Sequence, residues 1–445
     1  MSNPSSSRRT LRRGVRGFTL IEMLVATFVL VIILGMTLQI TNYANNLLLS
    51  TRKRVDTFQE ARAGFEVMTR KISQSMLNTY WDYANGTLGS GTGAPRPAPN
   101  PAMTSGTWAP TQFLRNSQLH FISGPAQPSA TQAGTVNPII GINAASPGGP
   151  YLRMVGHSIF FVAPLGYSDI SNEAIMPNLL NTCGFFLQYS SDNPDRPAFL
   201  VGSEPNGPTT GSDGLPVKFR FRLKELDLPS EYMYVYHYTS TYSQSYLVPS
   251  YTNWWFSQPL AGKSYNGQLP FKPTYTLAQN VIALVIEPMR SSNYQPTDPS
   301  TTELAPYYLY DSRAWAQSPV PTGVGSSVAV ATRNQLPPQV MVTMVAIDEA
   351  SASRMQSLLG DSSSSSSIPN FSDTGYGNSV LPNGLYDTNS GALKLFLQAS
   401  SVPQSGLNDQ YQADLSTLEQ ALVNLHVTYR VFTTNVTILQ SKFSD

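Results

Sequence analysis

Apolar residues run almost without interruption over residues 23–36 and stay frequent as far as Ile40. At a rise of about 1.5 Å per residue, a helix over residues 18–40 spans the roughly 30 Å hydrocarbon core of a bilayer with some tilt. Past that window the pattern changes rather than stops. Val55, Phe58, Ala61, Phe65, Met68, Ile72 and Met76 recur at three- and four-residue steps, the stripe of a helix with one buried face. Arg62 with Glu66, and Glu66 with Arg70, are i,i+4 pairs on its wetter side. Gly64 costs about 1 kcal/mol relative to Ala and fits either a close approach or a slight bend. These features predict one helix over residues 18–77, ended by Tyr80-Trp81-Asp82-Tyr83, with its second half laid against a globular domain.

Residues 84–110 are rich in Gly, Pro and Ala. The glycines of 89–93 neither follow a strand nor open a helix, so they read as a flexible or polyproline-like excursion, not a phosphate loop. Beyond them the period becomes that of strands, expected at 118–122, 151–162, 184–189, 217–226, 231–238, 281–287, 339–347 and 425–439. Val217, Phe219, Phe221 and Leu223 alternate with Lys218, Arg220, Arg222 and Lys224, which predicts a half-buried strand with a solvated basic face. Residues 281–286 and 340–347 are apolar at nearly every position and predict strands covered on both sides. Short helices are expected at 349–359 and 413–424, and the serines of 362–367 mark a surface loop. The fold class is α+β: a long N-terminal transmembrane helix continuing into a β-rich domain of antiparallel sheets. The divisions are 1–17, 18–40, 41–79 and 80–445.

Charge adds orientation and removes some function classes. Arg8, Arg9, Arg12, Arg13 and Arg16 precede the apolar run, with no acidic residue over 1–21. They hold the N-terminus in the cytoplasm; Arg52, Lys53 and Arg54 weaken that bias without reversing it. The chain has 28 basic and 27 acidic residues, so without 1–17 it keeps 28 − 5 = 23 basic residues and a net charge near −4. That balance argues against a nucleic-acid partner. Only 12% of residues are charged, which suits an exported β-rich protein better than a cytosolic enzyme. Cys183 stands alone, so no internal disulfide forms, and it reads as a small buried hydrophobe.

Glu22 is out of place. It lies one turn inside the apolar segment, where an ionisable group costs about 3 kcal/mol at the bilayer centre and less near an end. One account is a carboxylate that snorkels to the interface. The other is a cationic partner: a cut between Gly17 and Phe18 exposes an α-amino group four residues before Glu22, on this helix or a neighbour. A secretory signal peptide has a shorter apolar core, about 7–15 residues, with a small-residue cleavage site after it, and residues 37–44 offer none.

A basic leader ending in Gly, then Phe18-Thr19-Leu20-Ile21-Glu22, then an apolar helix, resembles the class III signal of type IV pilins and pseudopilins. The resemblance implies a prepilin peptidase that cuts between Gly17 and Phe18 and methylates Phe18. It implies that Glu22 pairs with a neighbouring subunit's N-terminus as pilin or pseudopilin subunits assemble through the N-terminal helix. It further implies an inner-membrane single-pass protein, N-terminus cytoplasmic before processing, whose β-rich pilin-like domain is periplasmic or in an envelope filament. Later in the chain, Leu336-Pro337-Pro338-Gln339-Val340-Met341-Val342-Thr343 resembles a strand of J-type minor pseudopilins and W-type minor pilins. Ala278-Gln279-Asn280-Val281 stands where those proteins also turn into a core strand. The whole is similar to the C-type member of the Verru_Chthon cassette family, at a size well above an ordinary J-type subunit.

Other chemistry is sparse. His120, His157, His237 and His426 are far apart in the sequence, and no G-x-S-x-G, P-loop or H-E-x-x-H occurs. Neither an enzyme nor a cofactor is expected. Asp192, Asn193 and Asp195 are a weak calcium candidate. Tyr232, Tyr234, Tyr236 and Tyr238 alternate along the expected strand 231–238, either as a recognition surface for sugars, a secreted protein or a subunit, or packed with only their hydroxyls wet. The expectation is therefore a minor pilin or pseudopilin at the tip of a type IV pilus or type II secretion-like filament; the alternative is a pilin-like binding module that recognises a surface polysaccharide, a secreted protein or DNA through this aromatic-rich surface.

Overall fold

The computed structural model describes residues 19–84, 112–126, 154–170, 176–192, 218–234, 254–264, 267–290, 304–305, 308–312, 334–358, 368–387, 391–397 and 409–443. The chain divides into two compact units, Met1–Val55 and Asp56–Asp445. The expected N-terminal helix is α1, Leu20–Ser73. In the first unit every side chain whose exposure is described is exposed, and by length and composition the helix is apolar enough to cross a membrane.

In the second unit the three-and-four stripe of α1 becomes core. Ala61, Phe65, Met68 and Ile72 are buried, and Phe58 and Met76 pack against the same cluster. Val55 stays exposed. Gly64 serves close approach: a Cβ there would lie 3.4 Å from Leu277 and Ala278. The helix stops earlier than expected. Met76 pairs with Val162, its N–H donating to the Val162 carbonyl at 2.9 Å, and Asn78 turns the chain at φ 46°. Consequently Tyr80–Ala84 does not terminate a helix but forms a strand.

In chain order the strands are β1 (Tyr80–Ala84), β2 (Gln112–Asn116), β3 (Ile122–Pro125), β4 (Met154–Pro164), β5 (Leu180–Ser191), β6 (Phe219–Leu228), β7 (Lys263–Ser264), β8 (Gly267–Gln268), β9 (Thr274–Gln279), β10 (Val281–Met289), β11 (Tyr310–Asp311), β12 (Gln339–Ile347) and β13 (Tyr429–Thr437). The further helices are α2 (Trp254–Leu260), α3 (Glu349–Leu358) and α4 (Asp409–Asn424). A six-stranded sheet has the order β11-β3-β4-β5-β6-β9, and a three-stranded one β10-β12-β13. Strands β1 with β2, and β7 with β8, make two-stranded ribbons. Every strand pairing among the described residues is antiparallel.

β9 and β10 are one run of chain that changes sheet at Asn280, where φ is 59°. Asn tolerates this left-handed region better than a bulky residue because its short side chain bonds locally. The Asn280 N–H donates to the Phe221 carbonyl, and its own carbonyl accepts from Ile347. β10 then lies across β4, with Ile282, Leu284 and Ile286 in the core. As the unbroken apolar runs predict, β10 and β12 are buried at nearly every position. The edges facing α1 are blunted by it: Phe65 packs on Phe432 of β13 with ring centroids 5.8 Å apart, while Gly64 meets β9.

Three expectations need correction. The basic face of β6 is not solvated: Arg220, Arg222 and Lys224 are at most 3% exposed. Arg220 donates to Glu349, Ser353 and Gln356, Arg222 to Ser190 and the Ser191 carbonyl, and Lys224 to Thr276. Alternation separates the two faces of a strand without saying that the second is wet. The expected strand 231–238 is absent over its described part, where Ser230–Tyr232 is a 3₁₀ turn. The last strand starts late, because Leu425 and His426 close α4, with His426 at φ 52°.

Candidate functional site at the head of the first helix

Thr19 and Glu22 build the first turn of α1. The Thr19 hydroxyl and N–H each donate to Glu22 Oε2 at 3.3 Å, and the Glu22 N–H donates back to Thr19 Oγ1 at 3.3 Å. This is a capping box, which satisfies helix-end N–H groups that have no partner within the helix. Glu22 also sets a negative charge in the first turn, where the helix dipole favours it. Thr19 was not among the expected site residues, although the T-x-x-E spacing that signals such a box is plain in the sequence. Gly17 and Phe18 lie outside the described residues.

The other candidates that are described belong to the second unit. Tyr232 meets Phe271 edge-on with centroids 5.2 Å apart. Tyr234 is 6% exposed, its hydroxyl donating to the Lys263 carbonyl. Tyr236 and Tyr238 lie outside the described residues. Asp192 binds at the end of β5, accepting from the Lys218 N–H and donating to the Lys218 carbonyl; Asn193 and Asp195 lie outside the described residues.

Two histidines are buried with both ring nitrogens engaged. His120 Nδ1 accepts from Trp255 Nε1 at 2.9 Å, so its other nitrogen donates to Asp311 at 2.6 Å. Sequence spacing missed this pair because its members are 191 positions apart. His157 Nδ1 accepts from the Ile286 N–H, and Nε2 donates to the Phe396 carbonyl. Burial holds His157 down to about 4. Neither is placed to act as a base. Cys183 is buried, and burial raises its thiol above the ordinary range. Among the described residues no group of three or more His, Cys, Asp or Glu side chains is placed to hold a metal.

Residues 12–38 match the prokaryotic N-terminal methylation motif. No curated protein and no solved structure matches the chain. The motif implies processing by a prepilin peptidase and assembly with other pilins, and the apolar helix suggests membrane anchoring. An N-terminal methylation motif at the head of a long apolar helix, followed by antiparallel sheets, is consistent with a type IV pilin-like protein.

Proposed function

We propose that the chain is a minor pilin or pseudopilin subunit, cut between Gly17 and Phe18, methylated at Phe18, and built into a type IV pilus or type II secretion-like filament. The observation that carries this reading is the methylation motif at residues 12–38, on a helix whose apolar side chains are exposed from Leu20 to Leu49. Such a surface is costly in water and is covered by lipid before assembly and by sister helices after it. Glu22 neutralises a neighbouring subunit's new α-amino group within the apolar bundle, which sets the axial register between subunits. Before processing the N-terminus is cytoplasmic, and the unit Asp56–Asp445 lies on the periplasmic side of the inner membrane. Its bulk favours the filament tip, where no subunit has to stack above it. The reading is structural, not enzymatic.

Mass analysis of the protein from native membranes tests it. The expected N-terminus is methylated Phe18; a chain still beginning with the arginine-bearing leader overturns the proposal.

A further inference from the structure

Where β6 meets α3, Phe221, Ile347, Met355 and Phe371 wall a small cavity. It leaves the centre of a water molecule about 10 Å³ of room. That is close to the least space that holds one water, on the order of 10–15 Å³. Three polar residues share the lining: Arg220 of β6, Gln356 of α3, and Asn280 at the joint between the two sheets.

Asn280 is 3% exposed. Its N–H and carbonyl are bonded to Phe221 and Ile347, and its Nδ2 donates to Glu349 at 2.9 Å. A carboxylate held ionised only accepts, so this bond fixes which end of the amide is nitrogen and which is oxygen. Asn280 Oδ1 is buried and has no hydrogen-bond partner among the described residues. A buried acceptor left unmade is costly, because it has given up its bonds to solvent. Arg220 cannot serve it. All five guanidinium N–H groups are taken, by Glu349, Ser353, Gln356 and the Phe219 carbonyl.

We propose that one ordered water occupies this cavity, donating to Asn280 Oδ1 and bonding the Gln356 amide. It completes the joint at which β6, β10 and α3 meet. Size and charge both select it. A larger ligand has no room. A cation would lie beside the Arg220 guanidinium, and an anion would face the lone pairs of Oδ1. A small neutral molecule that both donates and accepts satisfies the site, and a bridging water is nearly as favourable as a direct bond. The inference concerns the second unit alone and stands apart from the filament reading.

The test is a crystal structure of the full-length protein in detergent, at a resolution that shows ordered solvent. The expected result is a water peak about 2.7–3.2 Å from Asn280 Oδ1 and within hydrogen-bond reach of the Gln356 amide. Absence of that peak overturns the proposal, and so does a side chain of the protein donating directly to Oδ1. Gln356→Leu should abolish the peak while Glu349 still holds Arg220. A water that persists undiminished in this variant overturns Gln356 as the second partner. The wild-type structure decides the main point without relying on the variant.

Discussion

Asn280 Nδ2 donates to Glu349 Oε2 at 2.9 Å, tying the joint between the two sheets to the first turn of α3. The same carboxylate receives the Arg220 guanidinium, with Nη2 on Oε1 at 2.7 Å and Nε on Oε2 at 3.2 Å. One acid thus links a corner of backbone, a buried cation of β6 and a helix. Burial opposes its charge, but the Arg220 and Asn280 hydrogen bonds prevail and hold the carboxyl below its ordinary range.

Substitutions at Asn280 separate the backbone demand from the side-chain bond. Asn280→Gly keeps the left-handed conformation and loses only the side-chain bonds, a loss of about 1 kcal/mol. Asn280→Val adds left-handed strain and a branched side chain, for a loss of roughly 3 kcal/mol. Denaturant midpoints of the two variants should differ in that order.

At the head of α1, Glu22→Gln preserves a capping box, since Gln serves at that position, but removes the charge. We expect it to insert in the membrane normally and to fail in filament incorporation. Thr19→Val should do the reverse, weakening the helix end by about 1 kcal/mol while leaving the charge in place. Comparing membrane fraction with sheared filament fraction for the two variants checks this.

His157 gives the stability an acid limb. Its value falls from 6.5 unfolded to about 4 folded, so the unfolded chain takes up a proton first as pH drops. The contribution is whole above 6.5 and is lost as pH falls towards 4, by an amount on the order of 3 kcal/mol. His157→Gln should flatten the stability profile across that window, measured by denaturant unfolding at a series of pH values.

Gly64 sets a size limit. Gly64→Ala places a methyl group at 3.4 Å from its neighbours, which is ordinary contact, and gains helix propensity of about 1 kcal/mol. Gly64→Leu has no such room and should push α1 off β9, costing roughly 2 kcal/mol or more. Thermal unfolding of the two variants should move in opposite directions.

The long elements were legible because their patterns are local. The stripe from Phe58 to Met76, and the unbroken apolar runs of β10 and β12, announce helix and covered strand without help from the rest of the chain. What failed depended on distant partners. Nothing near Arg220 reveals that Glu349, Ser353 and Gln356 await it 129 to 136 positions later. The tyrosines near 232 alternate as a strand would, yet a 3₁₀ turn and contact with Phe271 decide their shape. Of the candidate site, Glu22 was visible as an anomaly of charge. Its partner Thr19 was equally readable; away from that site, the ion pairs of Lys71 with Glu225 and Asp227 were not, because they join a helix to a strand more than 150 positions away.

The way α1 gives four side chains to the core of the second unit dictates where the protein can be trimmed for work in water. A version beginning near Asp56 discards the greasy segment and keeps Ala61, Phe65, Met68 and Ile72 in their seats. One beginning at Asn78, a natural choice from the sequence, pulls those four plugs, uncovers the flanks of β9 and β13, and should precipitate or clump through them.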